Sequence, residues 1–325
     1  MIKIRSPAKV NLFLEVLGRR SDGYHEVQTV LQAVSLYDEI TLREQDRGIS
    51  VYSQALDLPK GRENLAYQAA QLLQEEGGVG MGVEITIDKR IPIASGLGGG
   101  SSDAAATLVG LNRLWNLGIG QAKLFGLARR LGTDVPFFLR AGTALATGRG
   151  DELTQISPPR LRLILVTLGF KISATQAYQN LDLPASARRW QAGLPSDLSG
   201  GLTKGPNDIK MMMVALRSGD VSAIGKALYN RFEETIIPRY PIVGQIRDGL
   251  DGLGAVGCLM SGSGPAVFAL AQNREAAFEI YKEASRLFPL MERIYPGRDQ
   301  RSYGIYLVQT IDRGVEVAET KGGED

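Results

Sequence analysis

Two apolar rhythms alternate along the chain. A period of two, with β-branched and other apolar residues at every second position between turn signals, predicts extended segments at 2–5, 11–16, 27–34, 39–43, 49–52 and 83–87. A period near 3.6 predicts helices. Asn64 is placed to cap one that runs to about 74, with Leu65, Ala69, Leu72 and Leu73 on one face and Gly77-Gly78 as its stop. Further helices are expected at 101–115, 121–131, 207–216, 221–228, 241–253 and 274–287, and strands at 161–167, on both sides of a turn within 257–271, and at 303–308. The elements follow one another without strict β-α-β alternation, which predicts α+β packing in both halves.

The 325 residues suffice for two cores, and the rhythm pauses at Ile156-Ser157-Pro158-Pro159, where two prolines cannot continue a hydrogen-bonded element. An N-terminal domain is therefore expected over 1–157 and a C-terminal domain over 158–317, with the polar residues 318–325 as a disordered tail.

Composition narrows the chemistry. With 44% hydrophobic and 22% charged residues, and a net charge of +2, the chain suits a soluble globular protein without the cationic footprint of nucleic-acid binding. A small-molecule partner is favoured, and no protein partner is implied. Met1-Ile2-Lys3-Ile4-Arg5-Ser6-Pro7 lacks the apolar core of a signal peptide, and no apolar run is long enough to span a bilayer, so a cytoplasmic location without membrane association is expected. One histidine, His25, and one cysteine, Cys258, cannot build a His/Cys zinc site. A metal, if present, should be held by oxygen, which suits Mg2+ carried in with a nucleotide.

The most informative stretch is Ile91-Pro92-Ile93-Ala94-Ser95-Gly96-Leu97-Gly98-Gly99-Gly100-Ser101-Ser102, followed at once by an alanine-rich helical segment. Glycines leave backbone N–H groups uncovered, and the helix start adds unsatisfied donors and the positive end of its dipole, so a polyphosphate is a natural occupant. A flexible turn before a tightly packed helix is the alternative. Lys9 and Asn11, in Ser6-Pro7-Ala8-Lys9-Val10-Asn11-Leu12, stand between two predicted strands, and Asp134 precedes Val135-Pro136 at an element boundary. Lys9 is otherwise an edge-strand surface charge, and Asp134 a turn former. If the two meet beside the glycine loop, the carboxylate can take a proton from an alcohol while the ammonium steadies the developing alkoxide. Ser21-Asp22-Gly23-Tyr24-His25-Glu26 joins an aromatic ring and an imidazole at a tight turn, either for conformational reasons or to hold a planar heterocycle. A second Gly/Ser run, Met260-Ser261-Gly262-Ser263-Gly264-Pro265, is either a hairpin loop or a second wall of a phosphate site.

Pro7-Ala8-Lys9-Val10-Asn11-Leu12, the Gly96-to-Ala105 loop and Met260-to-Pro265 resemble, in order, the three motifs of the GHMP small-molecule kinases. The Asp-Gly-Tyr-His turn and Gly132-Thr133-Asp134-Val135-Pro136-Phe137-Phe138 resemble one branch of that family, which uses ATP to phosphorylate the 2-hydroxyl of a cytidine-diphosphate sugar alcohol in the non-mevalonate isoprenoid route. The resemblance implies a two-domain fold, with an N-terminal ATP domain like the second domain of ribosomal protein S5 and a ferredoxin-like C-terminal domain. It implies ATP and Mg2+ as cofactors and gives each residue a role. Lys9 and Asp134 become the catalytic pair. Gly96, Leu97, Gly98, Gly99, Gly100, Ser101 and Ser102 hold the ATP phosphates, with Asn64 and Lys89 also on the nucleotide side. Asn11 positions the substrate, Tyr24 and Tyr178 stack on cytosine, and His25 reads its edge. Two positions depart from the family pattern: Ala174 stands where threonine is usual and Thr133 where alanine is usual. A homoserine or mevalonate kinase, sharing the three motifs but with no reason to stack cytosine, and a nucleotide sensor without the catalytic pair remain alternatives.

Overall fold

The Pro7-Ala8-Lys9 segment, expected between two strands, lies within one. In the computed structural model, which describes residues 1–140, 142–157, 160–181, 208–294 and 304–318, β1 is continuous over Ile2–Arg19. Its alternation is hidden for two reasons. From Ser6 to Leu14 the strand is buried on both faces, and a register shift between Pro7 and Ala8 turns it over. Ile2 and Ile4 thus face one core, whereas Ala8, Val10 and Leu12 face another.

The N-terminal half continues with β2 (His25–Gln45), β3 (Ile49–Tyr52), α1 (Leu65–Gly77), β4 (Gly82–Asp88), α2 (Gly99–Leu114), α3 (Gln121–Leu131), α4 (Val135–Arg140), β5 (Thr143–Thr147) and β6 (Glu152–Ile156). The C-terminal half holds β7 (Arg162–Thr167), α5 (Ala174–Gln179), α6 (Ile209–Ser218), α7 (Val221–Lys226), β8 (Tyr229–Asn230), α8 (Glu233–Arg239), α9 (Pro241–Gly252), β9 (Gly257–Met260), β10 (Val267–Ala271), α10 (Arg274–Ile294), β11 (Gly304–Gln309) and β12 (Glu316–Ala318). The first sheet runs β12-β1-β2-β4-β3, with β5 and β6 continuing from β2 and β8 lying against β1. The second runs β11-β7-β10-β9, all antiparallel. Counted within its own half, that is the order 4-1-3-2, consistent with a ferredoxin-like arrangement. Sheets and helices occurring together in both halves agree with the expected α+β class.

Asn64 caps α1 as its position suggested, its side chain accepting from the Ala66 N–H at 2.8 Å. Helix α2 starts earlier than expected, at Gly99, because Gly98 takes the left-handed conformation (φ 73°) as N-cap. Its small residues allow close approach: a Cβ at Gly110 would strike Ile4 and Leu42. Short elements escaped the periodicity, among them α4, α5, α8, β5, β6 and β12, since three to seven residues hold too little of a repeat to register.

The chain's far end is stitched into the first sheet, where β12 pairs with β1, Ala318 opposite Lys3. Pro158 and Pro159, at the expected domain boundary, lie outside the described residues, as do Tyr303 and positions 319–325 of the expected tail. Among the described residues no helix is long and apolar enough to cross a membrane.

Candidate active site

Between the short stretches that pair with β12 and β8, one edge of β1 is left open. The glycine loop fills it, with the Lys9 N–H donating to the Leu97 carbonyl at 2.9 Å. Strand periodicity puts Lys9 and Asn11 on the face opposite Ala8, Val10 and Leu12. The lysine stem runs past Gly98, where a Cβ would lie 3.0 Å from its Cγ. At its tip, Nζ donates to Asn11 Oδ1 at 2.7 Å and stands 3.7 Å from Asp134 Oδ2. Asp134 reaches this point because it directly precedes α4, anchored by the fully buried Phe137 and Phe138. Among the described residues no backbone N–H donates to its carboxylate, as a turn former would require; its ion-pair partner is Lys9.

The second Gly/Ser run is both a β9–β10 hairpin turn and a wall of this site. Ser261 Oγ donates to the Gly96 carbonyl at 3.1 Å, and the Ala266 N–H to that of Ser95 at 3.1 Å. Gly96 (φ 83°) permits this, since a Cβ there would strike the Ser261 carbonyl. A Cβ at Gly262 would lie 3.2 Å from Lys9 Nζ. Asn230, which the sequence pattern did not single out, fixes the turn through Nδ2, donating to the Met260 and Gly262 carbonyls at 2.7 and 2.8 Å.

Beside the loop lies a pocket of about 260 Å³ lined by Gly96, Gly98, Gly99, Gly100 and Ser101, with Leu58, Asn64, Lys89 and Asp103 among its other walls. The N-cap Gly98 offers no side chain to the first turn of α2, so the opening N–H groups of the helix are available to an anion. Ser102 Oγ is buried there without a hydrogen-bond partner.

Two expected nucleotide contacts are largely committed to the protein. Asn64 spends Oδ1 on the α1 cap and donates from Nδ2 to the Pro59 carbonyl at 2.6 Å. Lys89 is sealed behind Gly99, paired with Asp38 and, at 2.9 Å, with Asp103. Asp103 also accepts from Ser6 Oγ at 3.0 Å. Burial, then the charge of Asp103, pushes the Asp38 carboxyl up to about 7 despite Lys89. Burial pulls the Lys89 ammonium down, but Asp103 and Asp38 outweigh it and hold the group above its ordinary value. Residues 33–42 also include Ser35, Glu39 and Thr41, so no local signal set Asp38 apart in the sequence.

The aromatic residues expected to hold the base lie in two groups of contacts. Tyr24 is half exposed, its backbone fixed by a bond from its N–H to Asp22 Oδ1 at 3.1 Å, and the Arg149 guanidinium lies 4.7 Å over its ring. His25 stacks on Tyr178 at 4.6 Å between centroids, and Tyr178 meets Phe232 edge-on at 4.8 Å. Burial, then the charge of Asp134, raises the Tyr178 phenol above its ordinary value. Burial, then Arg19, lowers the His25 imidazole and favours its neutral form.

This convergence has counterparts in known proteins. The GHMP kinases N-terminal domain matches residues 64–142, and the GHMP kinases C-terminal domain matches residues 212–290. The 4-diphosphocytidyl-2-C-methyl-D-erythritol kinase of Pelotomaculum thermopropionicum is 44% identical over 275 residues, covering 84% of this chain and 90% of its own. A crystal structure of 4-(cytidine 5'-diphospho)-2C-methyl-D-erythritol kinase aligns with a TM-score of 0.72 at 32% identity, over 95% of this chain and 98% of the other. Homoserine kinase from Cytophaga hutchinsonii shares the fold, with a TM-score of 0.71 at 22% identity over 98% and 97% of the two chains. Taken with the meeting of all three motifs around Lys9, these similarities show that the chain belongs to the GHMP kinase family, in its 4-diphosphocytidyl-2-C-methyl-D-erythritol kinase branch.

Proposed function

We propose that this protein transfers the γ-phosphoryl group of ATP to the 2-hydroxyl of 4-diphosphocytidyl-2-C-methyl-D-erythritol, giving the 2-phosphate and ADP in the non-mevalonate route to isoprenoid precursors. The observation that carries the reading is the ammonium–carboxylate pair of Lys9 and Asp134 beside an uncapped glycine-rich helix start. Asp134 accepts the hydroxyl proton, and Lys9 offsets charge as it develops on the attacking oxygen. The first-turn N–H groups of α2 hold the nucleotide phosphates in line with that oxygen. Phosphoryl transfer asks the protein mainly for such positioning and charge neutralisation. Ser102 Oγ, unpartnered on the first turn of α2, would be suited to join the ligands of a magnesium ion, which would supply neutralisation of phosphate charge. Tyr24, His25 and Tyr178 form the cytosine site, with Tyr24 as the exposed stacking face.

A substrate profile tests the reading. ATP-dependent phosphorylation of the cytidine-bearing alcohol, with none of homoserine or mevalonate, is the expected result. Turnover of either small alcohol without the cytidine compound would replace it with another GHMP kinase activity.

A further inference from the structure

The hydrogen bonds beneath Lys9 run in one direction. Thr29, on β2, donates its hydroxyl proton to the Phe13 carbonyl at 2.6 Å. Its lone pairs are then what remains for Asn11, whose Nδ2 donates to Thr29 Oγ1 at 2.8 Å. With Nδ2 committed on that side, Asn11 Oδ1 is turned to the Lys9 ammonium, which donates to it at 2.7 Å. Reversing the amide would set an NH2 group against an ammonium and leave Oδ1 facing a hydroxyl whose proton is already engaged. All three residues are buried, at 5%, 2% and 5% exposure for Thr29, Asn11 and Lys9, so bulk water is not at hand to repair a broken link.

We propose that Thr29 is a positioning residue for phosphoryl transfer: its hydroxyl, acting through Asn11, holds the Lys9 ammonium beside Asp134. The proposal rests on Lys9 and Asp134 being the catalytic pair. A threonine that merely packed between strands would not need its proton directed away from Asn11.

Thr29→Val removes both bonds at nearly constant shape, and Thr29→Ser keeps the hydroxyl. The expected result is a fall in kcat of about tenfold for Thr29→Val, with KM for ATP and for the cytidine substrate within about twofold. Thr29→Ser should recover most of the rate. In a Lys9→Met background the Thr29→Val effect should vanish, because no ammonium remains to be positioned. Wild-type kcat in Thr29→Val, an equal loss in Thr29→Ser, or an undiminished loss beside Lys9→Met would overturn the proposal. A crystal structure of Thr29→Val reads the geometry without turnover: Lys9 Nζ should leave Asn11 Oδ1, and an unchanged contact also overturns it. Should the valine variant not fold, Thr29→Ala carries the same comparisons. Failure of the wild-type protein to phosphorylate the cytidine substrate would count against the parent reading alone, with the crystallographic comparison still deciding this one.

Discussion

The ammonium of Lys9 and the carboxylate of Asp134 lie 3.7 Å apart with unequal access to solvent, the lysine side chain 6% exposed and the aspartate 36%. That asymmetry suits their proposed tasks, since a base must meet an incoming hydroxyl while a fixed cation acts best where water is excluded. Asp134→Asn keeps the shape and removes the base. Its kcat should fall by about 10²- to 10⁴-fold. ATP affinity, set by the glycine loop, should change by less than about twofold. Single-turnover kinetics and nucleotide calorimetry measure the two quantities, and an undiminished rate would take Asp134 out of the mechanism.

Gly98 couples the loop to the lysine. Its φ of 73° belongs to the left-handed region, and a Cβ there would sit 2.9 Å from Phe138 Cζ and 3.0 Å from Lys9 Cγ. Gly98→Ala should therefore cost about 1–2 kcal/mol from the backbone alone and displace Lys9, lowering stability and kcat together. Gly100 lies inside the helix, and a Cβ there meets only Leu65 Cδ1, at 3.9 Å. Gly100→Ala should leave the protein as stable or raise its stability by up to about 1 kcal/mol. Denaturant titration separates the two, and equal losses would contradict the conformational argument.

Much of this site was legible because its signals are local. Glycines leading into alanines mark a helix start whose N–H groups are open to an anion, with a tight turn as the alternative, and Asp134 before Val135-Pro136 marks an element boundary. What stayed hidden depends on partners distant in sequence. Lys9 looked like an edge-strand charge because nothing local reveals a strand buried on both faces, and the turn-over at Pro7/Ala8 broke the alternation that would have shown it. The family resemblance alone places Lys89 on the nucleotide side, and only the fold shows Asp38 and Asp103 paired with it. Asn230 and Thr29 carry short polar side chains with ordinary sequence surroundings, and only the fold shows which carbonyls they hold.

Tyr24 offers one ring face to Arg149 and is half exposed, so its loss should trouble binding rather than folding. Tyr24→Ala should weaken the cytidine substrate by about 1–3 kcal/mol, the range of base–aromatic stacking, read as a rise in KM at nearly constant kcat. Arg149→Ala, which removes the support behind the ring together with the bond from Arg149 to Asp151 at 2.7 Å, should have a smaller effect of the same kind on KM, roughly 0.5–1 kcal/mol. Unchanged substrate affinity in Tyr24→Ala would move the base elsewhere in the cleft.

The Asp38–Lys89–Asp103 cluster should leave a mark on stability against pH. One lysine cannot neutralise two buried carboxylates, and the Asp38 carboxyl stands at about 7 in the fold against an ordinary 3.8. Between those values the folded chain keeps a proton that the unfolded chain has released, so this group makes the unfolding free energy fall as pH rises from about 4 to about 7. Below and above that window its contribution is flat. Lys89, raised in the fold, contributes stability that is lost only as pH rises beyond its ordinary 10.5, well clear of the window. Asp38→Asn retains an oxygen to accept the Arg90 and Ile91 N–H groups, now bonded at 2.6 and 2.8 Å, but has no proton to exchange. Denaturation at about pH 4.5 and about pH 7.5 should show the wild-type protein losing more stability over the interval than Asp38→Asn. Parallel losses would mean that Asp38 stays ionised throughout, with Lys89 and the two N–H groups outweighing burial and the charge of Asp103.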